Sequence, residues 1–448
     1  MGTLFVMLAT LPQYNTTFQI SGPYNDILIN RDEYGLPIIH AKTLVDAMFA
    51  LGFTHAQERL WTMDLKRRMA TGRMSELIGA EALPIDKFMR NLSIKRYCQY
   101  NLQHLDEKTI ELYQAYANGV NAYVKSLIVL PFEYMVAWVN FDEWTVLDSL
   151  AISKSYSFML AWDFSLEFFY ESLKEKLGEK IADEILFVKT KSFGWDDSVI
   201  INDEELKKEG LYEKYIEGKE TEILDNFSVP EERDIRFFTE NSTYMANSSF
   251  LETQTSSSYE DKAPEFGQEE IRAINKEVVI GSNSWVIHGN YTKSGKPILA
   301  NDPHMDNSIP SFWMQASLII NETEHISGVS IPGIPTIHIG RTNFYAWSFT
   351  TNTIDSTDLY ELKTEDNFYI YEDRKFAMKS FEESIVVRGE RKPVNITVYE
   401  THHGVVLDYF SSYLYTRRIL SAPKNNSRYA LAWTGFVKND TSASYWSR

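Results

Sequence analysis

The chain has 448 residues, of which 44% are hydrophobic and 14% aromatic, and this composition is typical of a globular protein with a large core. Its formal net charge of −18 argues against a nucleic-acid-binding or anionic-lipid-binding surface, because phosphate groups would be repelled. The single cysteine, Cys98, excludes an intrachain disulfide and a thiolate metal site.

The N-terminal run MGTLFVMLATLP is apolar but has no basic lead-in, so it is similar to the tail of a signal peptide. It is too short to span a membrane, and no other apolar run reaches that length. Ten Asn-x-Ser/Thr sequons also favour a secretory route. We therefore expect a remnant tail over residues 1–23, no membrane span, and a protein that is secreted or lies in the lumen of the secretory pathway.

Residues 24–202 are predicted to form a mostly helical region that begins with two short strands. Ile27–Ile29 and Ile38–His40 are the two strands, separated by a turn that contains Gly35 and Pro37. Apolar residues at helical spacing follow. The predicted helices are Leu44–Ile78, Leu105–Leu127 and Leu147–Leu177.

Residues 203–281 differ in character from their neighbours. Between Asp203 and Glu277 there are 20 acidic and 9 basic residues, and the helical periodicity fades after Ile223. Such a segment buries little apolar surface. Taken alone, it is predicted to be a solvated acidic linker.

Residues 282–448 are rich in predicted strands. A strand at Ser282–Ile287, a turn at residues 293–296 and a strand at Pro297–Ala300 open the region. The later predicted strands are Phe312–Ile320, His325–Ile331, Thr336–Ile339, Phe344–Phe349, Ser384–Val387 and Val394–Tyr399. Helices early and strands late predict an α+β fold class.

The Gly281–Ser282 junction interrupts an apolar run that is predicted to be one buried strand. Val278–Ile280 lead into it and Trp285–Ile287 lead out, whereas glycine and serine weaken a strand interior. The interruption is either a bulge or a cleavage site. Cleavage would give Ser282 an α-amine with a pKa of about 7.7–8.0. One residue would then supply both nucleophile and general base.

Other catalytic motifs are missing from the sequence. There is no HExxH pair for zinc and no G-x-S-x-G elbow. A serine peptidase with a conventional triad stays open, because its partners can be distant in sequence.

GSNSWVIHGNYTKSGKPILANDPHM, residues 281–305, closely resembles the penicillin acylase family of N-terminal nucleophile hydrolases. The resemblance continues at residues 31–79, 158–165 and 327–347, in the same order on both sides of the acidic segment. It implies a four-layer αββα core and a precursor that cuts itself before the serine. The acidic segment 203–281 would then be the removed spacer, and residues 24–202 and 282–448 would belong to two chains that remain associated.

The resemblance also implies roles for individual residues. Gly281 and Ser282 match the self-cleavage site, and Ser282 matches the nucleophile. His304 matches the residue that orients the α-amine, and Thr351 matches a position whose backbone N–H donates to the oxyanion. The resemblance assigns Asn283 and Trp285 to nucleophile positioning, and Met305 and Tyr156 to the acyl pocket. It assigns Asp355, Thr357, Asp358 and Asp163 to a structural calcium ion. Each of these positions could equally be an ordinary turn or core residue.

Two departures from the family pattern bear on function. Gly340-Arg341-Thr342 stands where the family often has G-H-N, and Arg448 precedes the position of the family's second oxyanion donor, an asparagine. The chain is therefore interpreted as truncated at its C-terminus. The expected activity is hydrolysis of the linear amide of an N-acylated small molecule, with structural calcium and no organic cofactor. The alternative is a truncated, catalytically inactive secreted glycoprotein that keeps part of the fold.

Overall fold

A computed structural model describes residues 10–14, 16–18, 20, 24–161, 281–305, 308–351, 355–408 and 428–447, with scattered positions between 164 and 182. Residues Met1–Lys176 and Lys276–Arg448 form one compact unit, and Leu177–Asn275 form a second. The predicted acidic spacer lies outside the described residues, except for Gly281.

Between residues 24 and 161, the first unit consists of a strand pair followed by seven α-helices. Strands β1 and β2 are antiparallel, with Leu28 opposite His40. The bounds are β1 (Leu28–Arg31), β2 (Pro37–Ala41), α1 (Leu44–Ala70), α2 (Ser75–Ile78), α3 (Leu83–Leu92), α4 (Ile94–Leu102), α5 (Glu107–Ser126), α6 (Phe132–Ala137) and α7 (Val146–Leu160).

The predicted helix from Leu44 to Ile78 is wrong beyond Ala70, where α1 ends. Gly72 takes a φ of +62°, which is outside the helical region and favours glycine, so the chain turns there. The Asp86 carboxylate then accepts hydrogen bonds from the backbone N–H groups of Met74 (2.8 Å) and Ser75 (2.6 Å) and stabilises the start of α2.

Helices α1 and α5 cross at close range because a glycine stands on each. A Cβ atom at Gly52 would lie 2.1 Å from the carbonyl oxygen of Tyr116, and one at Gly119 would lie 1.9 Å from that of Phe49. Any larger residue would push the two backbones apart. The core between these helices and the neighbouring sheet includes Ile39, Met48, Leu51, Phe53, Val120, Leu318 and Ile320.

A six-stranded sheet joins residues from both sides of the acidic segment. Its order is β1-β2-β5-β6-β7-β8, and β2 pairs in parallel with β5, with Ile38 opposite Ser317. The four later strands are β5 (Met314–Ile320), β6 (Glu324–Ser330), β7 (Ile339–Arg341) and β8 (Ala346–Trp347). The predicted strands Thr336–Ile339 and Phe344–Phe349 are therefore shorter and shifted, because turns occupy much of both segments.

Described residues between Thr357 and Trp433 form a seven-stranded antiparallel sheet in the order β11-β10-β9-β15-β14-β13-β12. Of these strands, only β13 was predicted in place, and the predicted strand Ser384–Val387 overlaps β12 at its last two residues alone. The bounds are β9 (Thr357–Glu365), β10 (Phe368–Tyr371), β11 (Arg374–Ala377), β12 (Lys379–Ile385), β13 (Val394–Glu400), β14 (Val405–Val406) and β15 (Arg428–Trp433).

Strands β3 (Ser282–Ile287) and β4 (Ile298–Pro303) form an antiparallel hairpin, with Ser282 opposite Pro303. The predicted strand, turn and strand are confirmed here. The predicted burial of β3 is wrong: Trp285 is 55% exposed and Val286 66% exposed. The reason is that β4 is the only strand paired with β3 among the described residues.

The α+β fold class predicted from the sequence is confirmed by these helices and sheets. Among the described residues, no helix combines the length and the apolar character needed to cross a lipid bilayer.

Candidate active site

The hairpin places the Gly281–Ser282 junction directly beside His304. The Gly281 carbonyl oxygen accepts two hydrogen bonds, one from the His304 backbone N–H (3.0 Å) and one from Ser282 Oγ (2.7 Å). Two donors on one amide oxygen polarise the carbonyl group, and one of them is the adjacent hydroxyl. This geometry suits attack by Ser282 Oγ on the carbonyl carbon of its own peptide bond.

The imidazole ring of His304 lies between two polar groups of the hairpin. Its Nε2 atom is 3.2 Å from Oδ2 of Asp302 and 3.3 Å from Nδ2 of Asn283. Its Nδ1 atom lies 3.4 Å from the place that a Cβ atom would occupy at Gly281. The structure thus brings together His304, Asn283 and the junction. Asp302, the neighbour of the ring, has no role in the sequence-based prediction.

Asn301 joins β3 to the segment that contains Thr351. Its Nδ2 atom donates to the carbonyl oxygens of Asn283 (2.9 Å) and Phe349 (3.1 Å), and its Oδ1 atom accepts from the backbone N–H of Phe349 (3.3 Å). Thr351 lies two residues beyond Phe349. The segment 281–305 that carries the family resemblance contains Asn301, but the resemblance gave no role to its side chain.

A second contact ties the same two segments together. Oγ of Ser284 lies 2.7 Å from Oγ of Ser348, next to the end of β8. The predicted oxyanion segment is therefore held against the hairpin at Ser348 and at Phe349.

Trp285, predicted to position the nucleophile, and Met305 and Tyr156, predicted to line the acyl pocket, differ in their surroundings. Trp285 is 55% exposed and Met305 is 41% exposed, so both present apolar surface beside the junction. Tyr156 is half-buried, and its ring packs edge to face against Phe312, with centroids 5.2 Å apart. The Nζ atom of Lys66 lies 5.5 Å from the Tyr156 ring centroid.

A conventional serine triad has no support around Ser282. The hydrogen bond of its hydroxyl goes to Gly281, and within residues 24–161, 281–305, 308–351 and 355–408 no imidazole bonds to Oγ. The α-amine that cleavage would create is thus the candidate base with the most direct geometry.

Three carboxylates form a candidate metal site. Glu167, Asp355 and Asp358 each offer an oxygen within 4.8 Å of the others, and the Leu359 backbone N–H donates to Oε2 of Glu167 (2.9 Å). Clustered carboxylates repel each other unless a cation lies between them, and a set of oxygen ligands suits Ca²⁺. The residues present therefore fit calcium.

The other predicted calcium ligands are placed differently. Thr357 is buried, and its Oγ1 atom accepts from the backbone N–H of Phe164 (2.9 Å), so this side chain already has a structural partner. Asp163 lies outside the described residues. Glu167 is a ligand candidate that the sequence-based prediction missed.

The sequence of this chain matches the family described as Penicillin amidase over residues 26–448. The acyl-homoserine lactone acylase QuiP of Pseudomonas aeruginosa is 27% identical over 429 residues, which cover 95% of this chain and 45% of QuiP. Penicillin acylase 2 proenzyme of Pseudomonas sp. strain SE83 is also 27% identical, over 89% of this chain and 46% of its own length. The chain spans about half the length of the curated relatives it matches.

One solved structure is also similar to the chain. A thermostable penicillin G acylase chain from Alcaligenes faecalis is 25% identical, and the match covers 36% of this chain and 92% of that one with a TM-score of 0.31.

Proposed function

The chain belongs to the penicillin amidase family, and from this membership we propose that it is an amidohydrolase that cleaves the linear amide of an N-acylated small molecule. The family prediction made from the sequence motifs is confirmed. Relatives named as acylases support the reaction class. The observation that carries the proposal is the doubly hydrogen-bonded carbonyl of Gly281 beside the Ser282 hydroxyl.

Self-cleavage is the first step of the proposed mechanism. Ser282 Oγ attacks the Gly281 carbonyl carbon, and the His304 backbone N–H stabilises the negative charge that develops on the carbonyl oxygen. The C–N bond breaks as the proton from Oγ passes to the amide nitrogen, which leaves an ester between Gly281 and Ser282. Water then hydrolyses this ester and leaves a free α-amine and a free hydroxyl on Ser282.

Substrate hydrolysis reuses the same groups. The α-amine of Ser282 takes the proton from Oγ as the hydroxyl attacks the substrate carbonyl, and the amine half of the substrate leaves with a proton. Water then releases the acyl group as a carboxylic acid. His304 orients the α-amine, and the backbone N–H of Thr351 donates to the oxyanion. Asn301 and Ser284 hold the segment of Thr351 against the hairpin.

A structural calcium ion is part of the proposal. Glu167, Asp355 and Asp358 would hold it, and its charge would offset the repulsion among the three carboxylates. The Leu359 backbone N–H already orients Glu167. The ion would link the chain around residue 167 to the start of β9, and no step of the reaction passes through it.

A secretory location and glycosylation also remain proposals, and one sequon is unsuited to glycosylation. Asn91 is 1% exposed, and its Nδ2 atom donates to the carbonyl oxygen of Val406 (2.6 Å). A glycan on that nitrogen would require the helix to leave the sheet. The sequons at Asn290, Asn321, Asn395 and Asn439 are exposed.

The test is hydrolysis of a panel of N-acyl amides by the wild type, Ser282→Ala and Ser282→Cys. We expect Ser282→Ala to abolish both the cut and hydrolysis, whereas Ser282→Cys keeps a nucleophile and measurable cleavage of its own peptide bond. Acetylation of the processed α-amine should abolish hydrolysis. Activity that survives acetylation would instead indicate a conventional triad, and an uncut, inactive wild type would indicate a non-catalytic protein.

A further inference from the structure

Lys66 is a half-buried lysine on α1 that the mechanism does not use. Its Nζ atom lies 4.9 Å from the ring centroid of Phe312 and 5.5 Å from that of Tyr156. Within the described part of the chain, no carboxylate forms an ion pair with it. Even partial burial of an ammonium group without a counter-charge costs free energy of hydration, so its retention calls for an explanation.

Two more hydrogen-bond donors belong to Trp313 and Tyr156, whose rings pack against Phe312. The Nε1 atom of Trp313 is buried and has no hydrogen-bond partner in the residues that the structure describes. The Tyr156 hydroxyl likewise has no partner there, and burial alone raises its pKa. The rings of Tyr156 and Trp313 both pack edge to face on Phe312, with centroids 5.2 and 4.9 Å from it. The three side chains that carry these donors thus all lie around the Phe312 ring.

Among the described residues, no negatively charged group acts on Lys66 or Tyr156, and the charged neighbour of Lys66 is a second cation. Burial, and then the positive charge of Arg59, lower the pKa of Lys66 to about 8. Burial also lowers the pKa of His55 and of His338 to about 3, so both rings are neutral near pH 7. The cluster lacks negative charge and is suited to an anionic acceptor.

A continuous set of contacts joins this cluster to the hairpin. Ser348, which contacts Ser284, follows Trp347, whose Nε1 atom donates to the carbonyl oxygen of His338 (2.7 Å). The His338 ring in turn lies 6.1 Å from that of Trp313. Tyr156 is also the residue that the family resemblance assigns to the acyl pocket.

We propose that Lys66, Tyr156 and Trp313 bind a carboxylate at the far end of the acyl group, so that the preferred substrates are monoamides of dicarboxylic acids. This inference rests on the proposed function. The ammonium group of Lys66 would pair with the carboxylate, and the hydroxyl and indole N–H groups would donate to its oxygens. The ring of Phe312 would contact the methylene groups.

The test compares adipate with hexanoate, which have the same chain length and differ by one terminal carboxylate. Isothermal titration measures the binding of each acid to the wild type, Lys66→Met and Lys66→Arg, and Lys42→Met serves as an exposed control. We expect the wild type to bind adipate about tenfold or more tightly than hexanoate, since a charge-assisted hydrogen bond has that strength. In Lys66→Met, the ratio of the Kd values for hexanoate and adipate should fall to about one, whereas Lys66→Arg and Lys42→Met should have the wild-type ratio. Thermal unfolding shows whether each variant folds.

Hydrolysis of adipyl and hexanoyl amides of one amine separates this inference from the proposed function. Amidase activity that ignores the terminal carboxylate, or a binding ratio unchanged in Lys66→Met, would overturn the carboxylate site and leave the function. Binding of adipate that depends on Lys66, without hydrolysis of any amide, would support the site and contradict the function. A wild type that binds hexanoate as tightly as adipate overturns the inference outright.

Discussion

At the scale of single residues, one amide group connects the two halves of the proposed catalytic site. Asn301 contacts the backbone of β3 at Asn283 and, at Phe349, the backbone of the segment that leads to Thr351. A side-chain amide suits this position because it offers both a donor and an acceptor. Asn301 is therefore a positioning residue, which acts through the segments that it holds.

We expect Asn301→Asp to lower kcat by about 10- to 100-fold with a smaller change in KM, because misplacing reacting groups by about 1 Å has an effect of that size. The substitution removes both donated hydrogen bonds and sets a carboxylate against two carbonyl oxygens. Asn290→Asp, on the exposed turn of the hairpin, is the matched control. Unchanged kcat in Asn301→Asp, or an equal loss in the control, would contradict the positioning role.

Motifs in the sequence identified the residues around the Gly281–Ser282 junction but not the residues that connect distant parts of the chain. Ser282, His304 and Thr351 belong to contiguous motifs, so a resemblance could name them. The contact between Asn301 and Phe349 spans 48 residues, and that between Glu167 and Leu359 spans 192. Side chains whose roles depend on such distant partners leave no local pattern.

At the scale of elements, the start of β9 connects the seven-stranded sheet to the helical residues near position 167. Asp355 lies two residues before β9 and Asp358 is its second residue, and Glu167 approaches them from a different part of the chain. Without a cation, this junction combines three negative charges. The junction should therefore be the part of the fold most sensitive to divalent cations.

We expect Ca²⁺ to raise the Tm of the wild type. At a Ca²⁺ concentration of 100 times Kd, the free energy of unfolding should increase by about 2.7 kcal/mol. Glu167→Gln should raise the Kd and reduce the shift. Glu324→Gln, on β6 of the other sheet, is the control and should keep the full shift. Mg²⁺ should be less effective, since it prefers a smaller octahedral site. A Ca²⁺ shift that persists in Glu167→Gln would exclude this carboxylate as a ligand.

The long, regularly patterned elements were predictable from the sequence, whereas short ones set by tertiary contacts were not. Helix α5 and strands β5, β6 and β13 follow clear periodicities. The helices α3 and α4 are 10 and 9 residues long and meet at Ser93, whose φ of +56° breaks the periodicity. Strand β15 pairs with β9, so its strand conformation depends on residues far away in the sequence.

At the scale of the whole molecule, a buried histidine joins the helices to the six-stranded sheet. His55 Nδ1 lies 2.7 Å from the Tyr116 hydroxyl, and its Nε2 lies 2.8 Å from Oγ of Ser330. Because Ser330 Oγ donates to the Met314 carbonyl and the Tyr116 hydroxyl accepts from the Gly333 N–H, the network is satisfied by neutral His55 with its proton on Nε2.

The stability of the fold should therefore fall in mild acid. Burial lowers the pKa of His55 and of His338 from 6.5 to about 3. Because both pKa values are lowered by folding, the unfolded state binds more protons than the folded state between pH 6.5 and about 3. The free energy of unfolding therefore has its full value above pH 6.5 and decreases as the pH falls below it. Each ring contributes a slope of about 1.4 kcal/mol per pH unit.

Urea unfolding at pH 7, 6 and 5 checks this expectation with the wild type and His55→Gln. The glutamine should lower stability at pH 7 but make the dependence on pH shallower by about 1.4 kcal/mol per unit. The upper part of this window is chosen because most carboxylates are still ionised there. Equal slopes in the two proteins would mean that His55 is already protonated or accessible in the folded state.

The central claim concerns the whole chain: it cuts itself between Gly281 and Ser282 and thereby creates its own catalytic base. Intact mass and N-terminal sequencing of the purified protein test this claim most directly, with Ser282→Ala as the control. We predict a fragment that begins Ser282-Asn283-Ser284-Trp285 in the wild type and an uncut chain in the variant. An uncut wild type, or the same cut in Ser282→Ala, would contradict the account.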